Sequence, residues 1–212
     1  MKMLMHRVFA ACLCTASVGM AAPQPAIVQA PNQWTVSVRF EPLRQVSLAA
    51  TQTGQPRRFW YAIVSIENAT SRDIDFYPQA DLLTDTFQLV GAGNNVPAGV
   101  FQIIKAQHAG LYPLLEEFPA AGSAVFQGHD HARDFAVIWP DFDTKARTVS
   151  LFIGGLSNEA VVIDHPIARD QAGSPLKVFL KKTLAIDFEL RGDSALRSDG
   201  DVEFVASRWV MR

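Results

Sequence analysis

The sequence predicts an all-β protein: an antiparallel immunoglobulin-like β-sandwich with one short helix inserted near residues 97–109. Three observations predict it. Apolar and polar residues alternate with a period of two in roughly nine or ten short segments. Polar turns rich in Asn, Asp, Ser, Gly and Pro separate those segments. Only one segment has helical spacing, and neither βαβ alternation nor a fixed-period repeat is present, so parallel α/β and solenoid architectures drop out. A closed barrel is the competing architecture.

Taken in order, Trp34, Val36, Val38 and Phe40 alternate with polar neighbours and predict a half-buried strand that Pro42 interrupts. A short strand is expected over residues 44–48, and TQTGQP (residues 51–56) is a loop by composition. The strongest β signal is RFWYAIVSIENATSRDIDFY, residues 58–77. Its first half puts Trp60, Ala62, Val64 and Ile66 on one face, with Phe59, Tyr61, Ile63, Ser65 and Glu67 on the other. Asn68 to Arg72 then predict a hairpin-like connection into a second strand. A turn is expected at residues 78–81 and a strand at 83–90, in which Asp85 is the one acidic position and reads as a surface carboxylate.

The loop GAGNNVP precedes the helix: Asn95 is placed to cap it, Pro97 suits its first turn, and Val100, Phe101, Ile103 and Ile104 form the apolar stripe. The helix is expected to close one end of the β structure, and residues 111–122 read as an irregular excursion. Strands resume at 123–127, 134–139, 147–153 and 161–164. Residues 176–190 alternate over a length that predicts a bend or bulge near Lys181 and Lys182, and a last strand covers 202–211.

Residues 1–21 read as a secretory signal peptide. Lys2 and Arg7 precede an apolar run of about 13 residues, too short for the roughly 20 that span a bilayer. Small residues at Gly19 and Ala21 place the cut after Ala21. Both cysteines, Cys12 and Cys14, lie in this leader, so a mature chain has neither disulfides nor thiolate chemistry. Lipidation at Cys12 is disfavoured by Phe9, which stands where a lipoprotein box carries a small aliphatic residue. The proline-containing residues 22–32 are expected to form a flexible lead-in, with a single domain over residues 33–212. Losing Lys2 and Arg7 takes the formal charge from −2 to −4. A weakly acidic chain without a basic cluster excludes nucleic acid as a partner, and no later run is long enough to span a membrane.

Candidate chemistry is sparse. GHDHARD, residues 128–134, offers His129, His131 and Asp134 as metal ligands of the kind zinc, nickel or copper accept, given a distant third donor such as His108 or His165. A solvated loop before the next strand explains the same residues. Glu116 with Glu117, and Asp141 with Asp143, pair carboxylates too close in sequence to flank a substrate by design. Gly192-Asp193-Ser194 has the look of an esterase nucleophile block, but no histidine follows it. Asn68-Ala69-Thr70 matches a glycosylation sequon and equally a turn. Trp34, Trp60, Trp139 and Trp209 all fall in expected strands and read as core anchors. No catalytic residue and no cofactor is assigned.

A set of blocks runs in order through nearly the whole chain after the leader: WYAIVSIENATSRDIDFYP, LLTDTFQLV, VPAGVFQIIK, FQG followed by AR and AVIWP, FIGGLSNE, FLKKTL and RWVMR. Together they resemble a family of uncharacterised secreted bacterial proteins. The resemblance implies an immunoglobulin-like sandwich and carries no activity with it. In that family the segment between FQG and AR is acidic and amide-bearing, which counts against His129 and His131 as ligands. The function expected is therefore an exported, non-catalytic protein with a binding or structural role at the cell envelope, its partner an unidentified protein or envelope component. The alternatives are a metal-binding protein or hydrolase built on residues 128–134, and an assembly subunit that exchanges a strand.

Overall fold

The computed structural model describes residues 22–49, 56–119 and 123–212. The leader, with Cys12 and Cys14, and most of the TQTGQP loop lie outside the described residues. In chain order the strands are β1 (Ser37–Phe40), β2 (Arg44–Leu48), β3 (Arg57–Glu67), β4 (Ile74–Phe76), β5 (Gln79–Thr84) and β6 (Leu89–Gly91). Helix α1 (Ala98–His108) follows, then β7 (Glu116–Glu117), β8 (Ser123–Val125), β9 (Arg133–Pro140) and β10 (Thr148–Gly154). The chain ends in β11 (Ala160–Arg169), β12 (Pro175–Leu190) and β13 (Val202–Met211). The protein is all-β, with mainly antiparallel sheets packed face to face and one short helix; β7 alone runs parallel to its partner, β9.

The first sheet is ordered β1-β3-β9-β7, with β2 also on β3. β1 pairs with residues 64–67 of β3 and β2 with residues 57–61. The two are one edge broken at Pro42, which has no N–H for the ladder. The second sheet runs β11-β12-β10-β5-β6, with β13 on the other side of β12. Between the sheets lies the main core: Trp60, Ala62, Val64 and Ile66 of β3 and Phe135, Val137 and Trp139 of β9 meet Leu82, Leu151, Ile153, Leu184 and Ile186.

The helix does not close an end of the sandwich. It lies on the outer face of the first sheet, where Val100, Phe101 and Ile104 cover Phe59, Tyr61, Ile63, Ala136 and Ile138 in a second core. That is why β3 and β9 are apolar on both faces along the runs FWYAIV and FAVIW, whereas β5 and β10 alternate. Asn95 does not cap the helix. It takes a left-handed turn conformation (φ 57°) that Asn tolerates, and Pro97 is the N-cap residue. The buried His108 in the last turn meets the Tyr61 hydroxyl at 3.0 Å. Burial, then the charge of Arg44, lowers its pKa below the ordinary histidine value.

Three further expectations are corrected. Residues 68–72 make no hairpin: β3 pairs with β1, β2 and β9, while β4 leaves it to pair with β8. Asn68 explains the departure. It is fully buried, its Nδ2 donates to the carbonyls of Arg72 and Val125 at 2.9 Å each, and its Oδ1 accepts from the N–H and hydroxyl of Thr70. The sequon is thus a structural staple with its amide out of reach of modification. Asn68→Ala is expected to destabilise the fold by about 2–3 kcal/mol in urea unfolding, because two buried carbonyls lose their donor at once. Second, residues 83–90 form two strands, not one, joined by a tight turn in which Thr84 N–H donates to Gln88 O and Phe87 takes φ 63°. Strand β5 begins at Gln79, where a turn was expected, and Asp85 sits in the tight turn, accepting the Arg147 N–H. Third, β12 has no bulge at Lys181 and Lys182. Its ladder with β13 shifts between Asp187 and Phe188 instead, and at Lys181 the strand changes partners, from β11 on its N-terminal side to β10 and β13 on its C-terminal side.

Candidate functional site

An open cleft of about 650 Å³ lies on the outer face of the second sheet. Its floor comes from neighbouring strands in register. Gln79 pairs with Gly154, Asp81 with Phe152, and the backbone of Arg212 exchanges hydrogen bonds with Lys181. Strand alternation then turns Asp81, Phe152, Lys181, Thr183 and Arg212 to the same side. One wall is the loop after β10. Gly155 begins it at φ +84°, and a Cβ there would run into the Tyr77 carbonyl, so only glycine lets β10 bend away under Tyr77.

The charges in this cleft are mostly answered. Arg212 Nη1 donates to Asp81 Oδ2 at 3.0 Å, Gln79 Nε2 donates to the same oxygen at 3.3 Å, and the guanidinium lies 4.4 Å from the Phe152 ring centroid. Behind the floor, Lys182 Nζ and Glu159 Oε2 form a buried pair at 3.1 Å, with Lys182 also over the Trp209 ring. Glu159 Oε1 accepts the Ala26 N–H at 2.6 Å. Burial acts to raise the Glu159 pKa; the Ala26 N–H and the Lys182 ammonium outweigh it and hold the carboxyl below the ordinary range. Residues 22–32 therefore form no strand but are tied to the sandwich, since Arg72 and Asn158 also donate to Asn32 O.

What the cleft leaves free, besides the side chains of Asp75 and Lys181, is its rim. Tyr77 is 71% exposed, Leu89 is 57% exposed, and Trp34 is half-buried beside them. Among the described residues neither histidine nor cysteine lines it. Its one serine, Ser157, already donates its hydroxyl to Trp34 O and accepts from Thr35 and from the Glu159 N–H. The cleft thus combines an exposed aromatic rim with a floor on which Asp81 and Arg212 are paired and Lys181 is not, and among the described residues no nucleophile is held against a base in it.

The residues singled out from the sequence lie elsewhere and apart. His129 and His131 sit on a 3-10 turn before β9; His129 Nδ1 meets Glu67 Oε2 at 3.1 Å, and His131 packs against Phe126. Asp134 points back to β3 and accepts the Ser65 hydroxyl at 2.5 Å. His108 lies under α1, and His165 Nδ1 accepts the N–H groups of Ile167 and Ala168. Among the described residues no three His, Cys, Asp or Glu side chains are grouped to hold a metal ion. Glu116 takes both ends of the Arg133 guanidinium, and Asp141 takes Arg58 and the Trp60 indole. The Lys145 N–H, then the Thr86 hydroxyl, lower the Asp143 pKa. Ser194 is held through its carbonyl by Arg58, within a turn that Asp193 closes on the Ala195 N–H.

Sequence reasoning missed Tyr77, Asp81, Lys181 and Arg212 as a group. They come together only through pairings that join β5, β10, β12 and the residue after β13, more than 100 positions apart at the extremes. The one local signal was Gly154-Gly155, which marked where a strand had to leave its sheet. Comparison of the chain with protein-family models, with curated proteins and with solved structures finds no match.

Proposed function

We propose that this is an exported, non-catalytic β-sandwich protein that binds a component of the cell envelope through the cleft beneath Tyr77. The observation that carries this reading is the contrast inside the cleft. Two of its charges are answered in pairs, Asp81 by Arg212 and Glu159 by Lys182, while Tyr77 and Leu89 stand exposed at the mouth beside the unpaired Lys181, which favours contact with a ligand over acid–base work. Export rests on the leader pattern at residues 1–21 and on the likeness to secreted bacterial proteins, and places the mature chain in the periplasm or outside the cell. The binding partner is an envelope protein or another envelope component. No described helix is long and apolar enough to cross a membrane.

The test expresses the full chain with its leader in a bacterial host. The mature protein is expected in the exported fraction with Ala22 as its first residue. It is expected to be retained on one isolated envelope component, among peptidoglycan, outer-membrane vesicles and the soluble periplasmic fraction. Tyr77→Ser is expected to weaken that retention at least about tenfold while moving stability by no more than about 0.5 kcal/mol, as for an exposed side chain. Retention unchanged by Tyr77→Ser would remove the cleft from the function, and a chain that stays inside the cell would remove export.

A further inference from the structure

The cleft beneath Tyr77 has a chemical character that selects among ligands. Its two aromatic side chains stand on fixed backbone. Tyr77 follows β4, where Ile74 and Phe76 are buried and Phe76 stacks on Phe135 at 5.8 Å between ring centroids. The alternation of β4 continues through Tyr77 and turns Asp75 and Tyr77 outward together, so a carboxylate sits beside the exposed ring. Trp34 is clamped through its backbone. Its N–H donates to Asn158 Oδ1 at 2.7 Å, and its carbonyl accepts from the Ser157 hydroxyl at 2.8 Å and the Asn158 N–H at 3.2 Å. Side chains held this way lose little freedom when a ligand arrives.

Charge and hydrogen bonding narrow the ligand further. Lys182 answers Glu159 from behind, which leaves Asp75 and Asp81 against Lys181 and Arg212, two carboxylates and two cations. A cleft without net charge gives a phosphate or a polyanion no net attraction. An acyl chain would have to bury the pair of Asp81 and Arg212 under hydrocarbon. An extended peptide would need an open strand edge, and under the cleft β10 is paired on both sides, with β5 and with β12. A pyranose chain meets all of these features. Each ring has an apolar face of C–H groups that packs on an aromatic face, and an edge of hydroxyls that both donate and accept.

We propose that the ligand of this cleft is a neutral saccharide chain of the envelope, with one pyranose ring stacked on Tyr77. The proposal rests on the reading of the cleft as the binding site and names what fills it. The Asp75 carboxylate, left free beside the ring, accepts hydroxyls of the stacked sugar in charge-assisted bonds, and the Lys181 ammonium donates from the floor. Trp34 and Leu89, on the same rim, extend the apolar contact. The volume of about 650 Å³ falls within the roughly 300–1,000 Å³ of small-ligand sites, and the cleft is open, so a chain runs through it instead of being enclosed.

The test presents the exported protein with soluble neutral tetrasaccharides, namely chitotetraose, cellotetraose and maltotetraose, and with inorganic polyphosphate as the charged comparison. Saturation transferred from the aromatic protons of the protein is expected to reach ring C–H groups of at least one sugar, with a Kd of about 1 mM or tighter. Tyr77→Phe keeps the ring and is expected to keep that binding. Tyr77→Ser is expected to weaken it at least about tenfold, and Asp75→Asn by about two- to fivefold. The same sugar is expected to displace the protein from the envelope component that retains it, and that component identifies the source as wall strands, outer-membrane sugars or a soluble glycan. Tyr77-dependent retention that none of the three sugars displaces overturns the saccharide and leaves the cleft as the site, whereas retention indifferent to Tyr77→Ser overturns both. Sugar binding that survives Tyr77→Ser, or binding of polyphosphate in place of sugar, also overturns the proposal.

Discussion

Truncating Trp60 to alanine is expected to lower the unfolding free energy by about 3–5 kcal/mol, measured by urea denaturation at neutral pH. Trp60 is fully buried in the first half of β3, the strand on which the first sheet is assembled. Its ring stacks on Phe142 at 5.0 Å between centroids and stands directly across the ladder from Trp139. Its Nε1 donates to Asp141 Oδ1 at 2.8 Å, and Arg58 both bridges to Asp141 and lies over the indole. The cavity accounts for most of the loss, because the surrounding strands are held in two ladders and cannot collapse into it. Trp60→Phe keeps most of the volume and loses only the indole bond, so about 1–2 kcal/mol is expected. A loss below about 1 kcal/mol for alanine would mean that Trp60 is not the anchor of this sheet.

How much of this was legible in the sequence differs by element, and the differences have physical causes. β2 and β13 match the expected bounds, and β12 begins only one residue earlier than expected; within β12, alternation reports burial from Ile186 to Leu190, where one face meets the core and the other does not, while residues 182–186 are buried on both faces. The existence of the helix was legible from its stripe, but its place was not. The clue was the unbroken apolar run Phe59 to Val64, which a strand carries when both faces are covered. Asn68 misled for a related reason. A short amide after a strand is a good turn residue, and nothing local says that its donors reach Val125, 57 positions on. The metal candidates were chosen by residue type at close spacing. The structure spends those side chains singly, His129 on Glu67 and Asp134 on Ser65, because both partners are on β3, which β9 pairs with along its whole length. The cleft was invisible for the opposite reason, since Asp81 and Arg212 carry no shared local pattern and meet only when two strands align.

The buried pair of Lys182 and Glu159 gives an effect of similar size to Trp60 and a sharper internal control. Lys182→Ala leaves a carboxylate with a side chain only 4% exposed facing no cation, and is expected to cost about 3–5 kcal/mol, because breaking one side of a buried pair strands the other charge. Replacing both, Lys182→Met with Glu159→Leu, is expected to restore most of that stability. The Ala26 N–H that Glu159 accepts then turns to water, since Ala26 is exposed. The pH dependence separates the charge from the packing. Burial opposes the ionised form of Glu159, but the Ala26 N–H and Lys182 overcome it, so the folded pKa lies below the unfolded one. A depressed carboxyl contributes stability that is fully present above its unfolded value, about 4.3, and is lost as pH falls through the folded value. The wild-type chain is therefore expected to lose stability more steeply than the double variant below about pH 4, and to release residues 22–32 to proteolysis in the same range. Glu159→Gln keeps an acceptor for Ala26 but removes the charge, and is expected to lie between the two in stability and to share the flatter acid limb. Parallel acid limbs for wild type and double variant would show that the pair is not what ties the lead-in to the sandwich.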